Sequence, residues 1–208
     1  MASVTRRPAK SAERREAVEA RVFAAVEKLL GEGLSYTEIS VQRIITEAGV
    51  ARSTFYGYFH DKSDLLQRLA TTLRESFFLS AASWDPAEGL PGLVRVFEEI
   101  LRRHREHLPL LAAITETAAY DPAVRSFYNA DLDAFEARVT QDLRELQAQG
   151  STDPAIDPVA TGRVVVWGGE QAIAHHMSTD DGSGDAAFAA QMAALWWYGA
   201  YHRLPGGE

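Results

Sequence analysis

TEISVQRIITEAGVARSTFYGYFHDKSDLL, residues 37–66, decides how this chain is read. Ile44, Ile45 and Ala48 form a helical apolar stripe, and Ser40 stands where an N-cap would accept from the first free amides. Gly49 supplies the positive φ that ends the helix, and Val50 plugs the corner. A second short helix is expected over 51–58, with Phe55 and Phe59 four residues apart and facing the same way. Asp61 is positioned to cap a longer third helix. Two short helices about a glycine-containing turn make the helix-turn-helix pattern, whose second helix enters the DNA major groove.

In that second helix Arg52, Ser53 and Tyr56 share one side, while Phe55 lies on the opposite flank and is assigned to the core. Arg52 suits either a bidentate contact to guanine or a phosphate grip, and Ser53 and Thr54 suit base edges or phosphates. Gln42 and Arg43, on the preceding helix, are within reach of the flanking backbone. Lys62 sits where the next helix offers free amides to a phosphate.

The segment Ala48-Gly49-Val50, the run Thr54-Phe55-Tyr56-x-Tyr58-Phe59, then Lys62 and Leu65-Leu66 resemble the DNA-binding signature of the TetR family of bacterial transcriptional regulators. The resemblance runs from Glu13 to Leu66, and no motif of comparable strength lies beyond it. It implies that Tyr56 and Lys62 hold the DNA backbone. It also implies pairing through the last two long helices as a four-helix bundle, and a small molecule bound in the rest of the chain that shifts the two DNA-reading heads. Two positions depart from the pattern. Ala51 replaces a capping serine, a loss on the order of 1 kcal/mol, and Gly57 replaces a longer side chain.

Charge distribution agrees with a DNA-facing amino terminus. The chain carries -8 overall, but residues 1–62 hold ten Lys/Arg against eight Asp/Glu and residues 63–208 hold eleven against twenty-one. The first part is therefore +2 and the second -10, which turns the basic end toward phosphates and the acidic end away. With 46% hydrophobic and 24% charged residues, a packed core is expected rather than disorder. There is no cysteine, which excludes disulfides, thiolate nucleophiles and thiolate metal sites and is compatible with a reducing cytoplasm. No signal peptide is legible. The most apolar stretch, 186–201, falls short of the ~20 residues that cross a bilayer, so a cytoplasmic protein with no membrane partner is expected.

The whole chain reads as all-α, about nine helices, with a three-helix head on a six-helix body. Residues 1–12 read as a flexible basic arm suited to a minor groove, 13–60 as the helix-turn-helix domain, and 61–208 as an effector-binding and dimerisation domain. The first helix is expected over 13–30 on the stripe Val18, Val22, Ala25, Val26 and Leu29. The linking helix, from Asp61 to about Ala82, carries Leu65, Leu66, Leu69, Leu73 and Phe77. Later helices are expected over 88–106, 109–119, 122–149, 156–178 and 185–203, separated by Gly, Pro and Asp breaks.

In the body, Phe97, Ile100, Leu101, Leu110, Leu111, Ile114, Phe127, Phe135, Trp167 and Trp196 are read as converging on an apolar chamber for a small hydrophobic ligand. Glu170 and Gln171 are its polar minority. A surplus of apolar residues over 156–203, with Gly168 and Gly169 inside a helix, points to a homodimer, and the duplex it reads would be a palindromic operator. His104-x-x-His107 is spaced for a metal but lies in RRHREH, a run that reads as solvated surface, and His175 and His176 point about 100° apart. No cofactor motif and no catalytic motif is present. The function expected is a repressor released from its operator by the ligand. The alternative is a helical adaptor that binds protein, or an enzyme using the chamber, and salt-sensitive binding to duplex DNA separates the two.

Overall fold

The structure, a computed structural model, describes residues 7–82 and 84–201, with side chains over 13–71, at 73 and over 84–201. Among the described residues there are nine α-helices and no strand: α1 Arg7–Gly31, α2 Val41–Ala48, α3 Arg52–Tyr58, α4 Lys62–Ala82, α5 Gly89–Glu106, α6 Leu108–Tyr120, α7 Pro122–Ala148, α8 Pro158–Thr179 and α9 Asp185–Trp196. Beyond α9 the chain widens into a π-helical turn, Trp197–Tyr201, where a continuous α-helix was expected. At the other end α1 opens at Arg7, so part of the expected arm is helical, and Arg6 lies outside the described residues. The expected contribution of Phe77 to the α4 stripe also falls outside the described side chains. Among the described residues no helix is long and apolar enough to cross a membrane.

The chain divides into two compact units, Met1–Thr72 with Pro109–Ser126, and Leu73–Leu108 with Phe127–Glu208. In the first, Val22, Val26, Ile44, Phe55, Phe59, Leu65 and Leu66 are wholly shielded from water. Apart from Phe59, which closes α3 as its C-cap, these are stripe positions of four helices, and burying them stabilises the unit by roughly 1.5–3 kcal/mol each. Leu110, Ala113, Ile114 and Thr117 bury one side of α6 within this unit. Polar bonds fasten the α6–α7 corner here as well: Thr37 Oγ1 donates to Glu116 at 2.5 Å, and Ser63 Oγ donates to Asp121. The bond from Ser63, with amides of Ala123 and Val124, holds the Asp121 carboxyl below its ordinary range.

In the second unit α5 packs on α9. Trp196 takes Phe97 edge-on at 5.2 Å and stacks on Phe135 at 6.3 Å. A Cβ at Gly169 would lie 3.4 Å from both Met192 and Trp196, so the missing side chain lets α8 and α9 approach. Arg105 clamps the turn between these helices, donating to the Asp185 carboxylate at 2.7 Å and to the Asp180 carbonyl at 2.6 Å. His176 bonds the same Asp185 oxygen at 2.8 Å and stacks flat on Phe188.

Candidate nucleic-acid interface

The geometry of α2 and α3 follows from local chemistry. Ser40 Oγ accepts from the Arg43 amide at 3.2 Å. Gly49 adopts φ 61°, which lets its N–H and that of Val50 turn back onto the last carbonyls of α2. That left-handed residue aims the next helix, and α3 is then held by Phe55, packed 5.2 Å from Phe59. No side chain caps α3 at Ala51.

With Phe55 inward, Arg52, Ser53 and Tyr56 are exposed, as are Gln42 and Arg43, and Thr54 is half-buried. The Arg52 guanidinium sits 5.4 Å above the Tyr56 ring, a cation–π contact that narrows the rotamers of both before any partner arrives. Gln42 bonds Thr46 at 3.4 Å, and Arg43 lies 3.5 Å from Glu32. Both contacts are exposed and worth well under about 1 kcal/mol, so a phosphate would displace them. A Cβ at Gly57 would meet nothing within 4 Å. Packing therefore does not require that glycine, and its effect is an open space beside Tyr56.

Lys62 behaves differently. Its Nζ donates to the Tyr36 carbonyl at 2.6 Å and lies 4.5 Å from the centre of the Tyr36 ring. Tyr36 Oη donates back to the Lys62 carbonyl at 2.6 Å. Burial lowers the Lys62 pKa and pushes the Tyr36 phenol up. The lysine thus ties the chain before α2 to the start of α4. Tyr36, absent from the sequence reading, is almost fully buried at 1% exposure.

The residues expected to line a ligand chamber are distributed. Phe97, Leu101 and Trp196 belong to the buried core of the second unit, with Phe135 and Trp167 packed against it. Phe127 and Glu170 are half-buried in the same unit, Gln171 is exposed, and Ile114 is buried in the first unit. Trp167 donates to Glu136 at 2.8 Å and borders an open groove of about 670 Å³ between α7 and α8, where Asp133, Arg144 and Arg163 also lie. His104 is not the solvated residue that its charged run implied. Its Nδ1 bonds the Ile100 carbonyl at 2.8 Å, and burial lowers its pKa. His176, Asp180 and Asp185 bring ligand-type atoms within 4.8 Å of one another, but Arg105 supplies the positive charge there.

A model of the family described as "Bacterial regulatory proteins, tetR family" matches residues 27–69, the stretch that holds α2, α3 and their flanks. Over 196 residues the chain is 28% identical to the HTH-type transcriptional regulator EthR of Mycolicibacterium smegmatis, covering 91% of this chain and 88% of that protein. Among solved structures it is similar to GusR of Salmonella enterica, with TM-score 0.70 at 16% identity, covering 86% of this chain and 92% of the other. It is also similar to a transcriptional regulator from Saccharomonospora viridis solved in complex with choline, with TM-score 0.69 at 16% identity over 92% and 100% of the two chains. At those identities the structural likeness establishes the fold.

Proposed function

We propose that the chain is a bacterial transcription regulator of the TetR family, a DNA-binding protein and not an enzyme, and that it is a homodimeric cytoplasmic repressor that a small, mostly apolar effector releases from a palindromic operator. The observation that carries this reading is the outward trio Arg52, Ser53 and Tyr56 on a helix whose opposite side is locked by Phe55. Selection from a random duplex library tests it. Enrichment of an inverted repeat is expected, with affinity that falls steeply as salt rises. No enrichment, or binding indifferent to salt, would return the chain to the adaptor reading.

Pairing is supported by a strip of exposed apolar surface on α8, on α9 and on the π-helical turn that follows it. Val164 is 70% exposed, Leu195 68% and Tyr198 56%, with exposed Gly168 one turn from Val164 and Gly199 one turn from Leu195. Large apolar side chains beside bare glycines favour close approach of a second copy. Leu195→Glu places a charge in that strip. In light scattering the natural chain should run as a dimer at micromolar concentration and the variant as a monomer. A natural chain already monomeric there would remove the dimer from the proposal.

Release requires that the effector bind the non-reading arrangement more tightly than the reading one. Helix α4 continues from one unit into the other, dividing at Thr72 and Leu73, and gives that coupling a covalent route.

A further inference from the structure

Three polar side chains in the second unit stand where their helices should present apolar ones. On α8, Val166, Ile173 and Met177 are buried, and Glu170 falls between them at i+4 from Val166 and three before Ile173. On α5 the buried run Leu93, Phe97 and Leu101 continues into His104. On α7 the core positions Leu132, Phe135, Val139 and Leu143 are preceded, four residues earlier, by Tyr128. Two of these registers meet: Tyr128 Oη donates to the Glu170 carboxylate.

The chemistry of this convergence is one-sided. The His104 Nδ1–H is directed to the Ile100 carbonyl. Tyr128 spends its proton on Glu170, so its oxygen presents lone pairs. Other carboxylates of this unit face arginine: Glu136 lies 3.4 Å from Arg163, Glu99 2.7 Å from Arg102 and Asp185 2.7 Å from Arg105. Among the described residues Glu170 meets no Lys or Arg in an ion pair. A half-buried carboxylate on a core-facing register without a cation is costly, and a cationic donor from outside would relieve that cost.

We propose that Glu170 and Tyr128 form the polar end of the effector site, and that the effector is a protonated amine with an apolar body. The inference rests on the effector-binding reading above. The ammonium N–H groups meet the carboxylate and the phenol oxygen, and the apolar portion lies against the aromatic wall that includes Phe97 and Phe135.

Decylamine, decanol and decanoate, which share a chain and differ in headgroup, test this by calorimetric titration of the full chain. Decylamine should bind at least about tenfold more tightly than decanol, decanoate should bind least, and Glu170→Gln should erase the decylamine advantage over decanol. If that variant also loses decanol, Tyr128→Phe, which removes one oxygen, takes its place and should narrow the advantage. Decanol or decanoate binding as tightly as decylamine, or an advantage that survives both substitutions, overturns the amine assignment and leaves the effector site standing. Binding of none of the three overturns the effector site, and the amine assignment falls with it.

Discussion

Phe55→Ala should unfold the DNA-reading unit near physiological temperature. Phe55 is fully buried, packed against Phe59 at 5.2 Å, and it is the only described residue of α3 that is buried. Removing the ring deletes its transfer free energy and leaves a cavity between α3 and its supports, a combined loss of about 3–5 kcal/mol. For a unit of this size that corresponds to a fall in melting temperature of more than about 10 °C. Circular dichroism melts and urea titrations read the effect directly, and selected duplex should no longer be retained at 37 °C, on the order of normal growth conditions. Phe55→Leu, which keeps most of the volume, should cost less than about 1.5 kcal/mol and retain binding. If the alanine variant melted within about 2 °C of the natural chain, α3 would not be anchored as described.

The contrast between Phe55 and Lys62 marks what a sequence reading reaches. Helix boundaries around the turn were legible because their causes are local. Ser40, Gly49 and Asp61 each cap within four residues of themselves, and each does so in the structure. The 3.6-residue stripes of α1 and of α4 up to Leu73 are legible for the same reason. Lys62 was read as a phosphate ligand because a cation beside a helix start looks like one. Its carbonyl partner at Tyr36 lies 26 residues away and leaves no periodic trace. The bond from Thr37 to Glu116 spans 79 residues between two ordinary polar types, so nothing in the sequence placed α6 in the amino-terminal unit.

His104 is the instructive intermediate. Composition hid it in a charged run, yet the spacing 93, 97, 101, 104 on α5 puts it on the inner stripe, and a count of register would have found it. The start of α1 was missed for the opposite reason. Residues 7–12 are too polar to show an apolar period, although Pro8 suits the first turn of a helix. The chamber residues shared hydrophobicity but not a register, so the reading could not separate core from lining.

Arg52→Ala should weaken binding to the selected operator by about 10- to 100-fold without lowering the melting temperature, because the side chain is exposed and its cation–π contact is with Tyr56 alone among the ring contacts described. The form of the loss identifies the contact. If Arg52 reads guanine, discrimination at one operator position relaxes while the salt slope stays; if it grips phosphate, affinity falls for every duplex and the slope drops by about 1. Lys62→Ala supplies the comparison. Losing the bond to the Tyr36 carbonyl should cost about 1–3 kcal/mol of stability, so that variant should lose affinity and melting temperature together. Two substitutions ten residues apart therefore separate direct contact from support of the scaffold. Fluorescence anisotropy over a salt series, paired with thermal melts, reads both. Unchanged affinity and slope for Arg52→Ala would remove the exposed side of α3 from the DNA interface, whatever Lys62→Ala did.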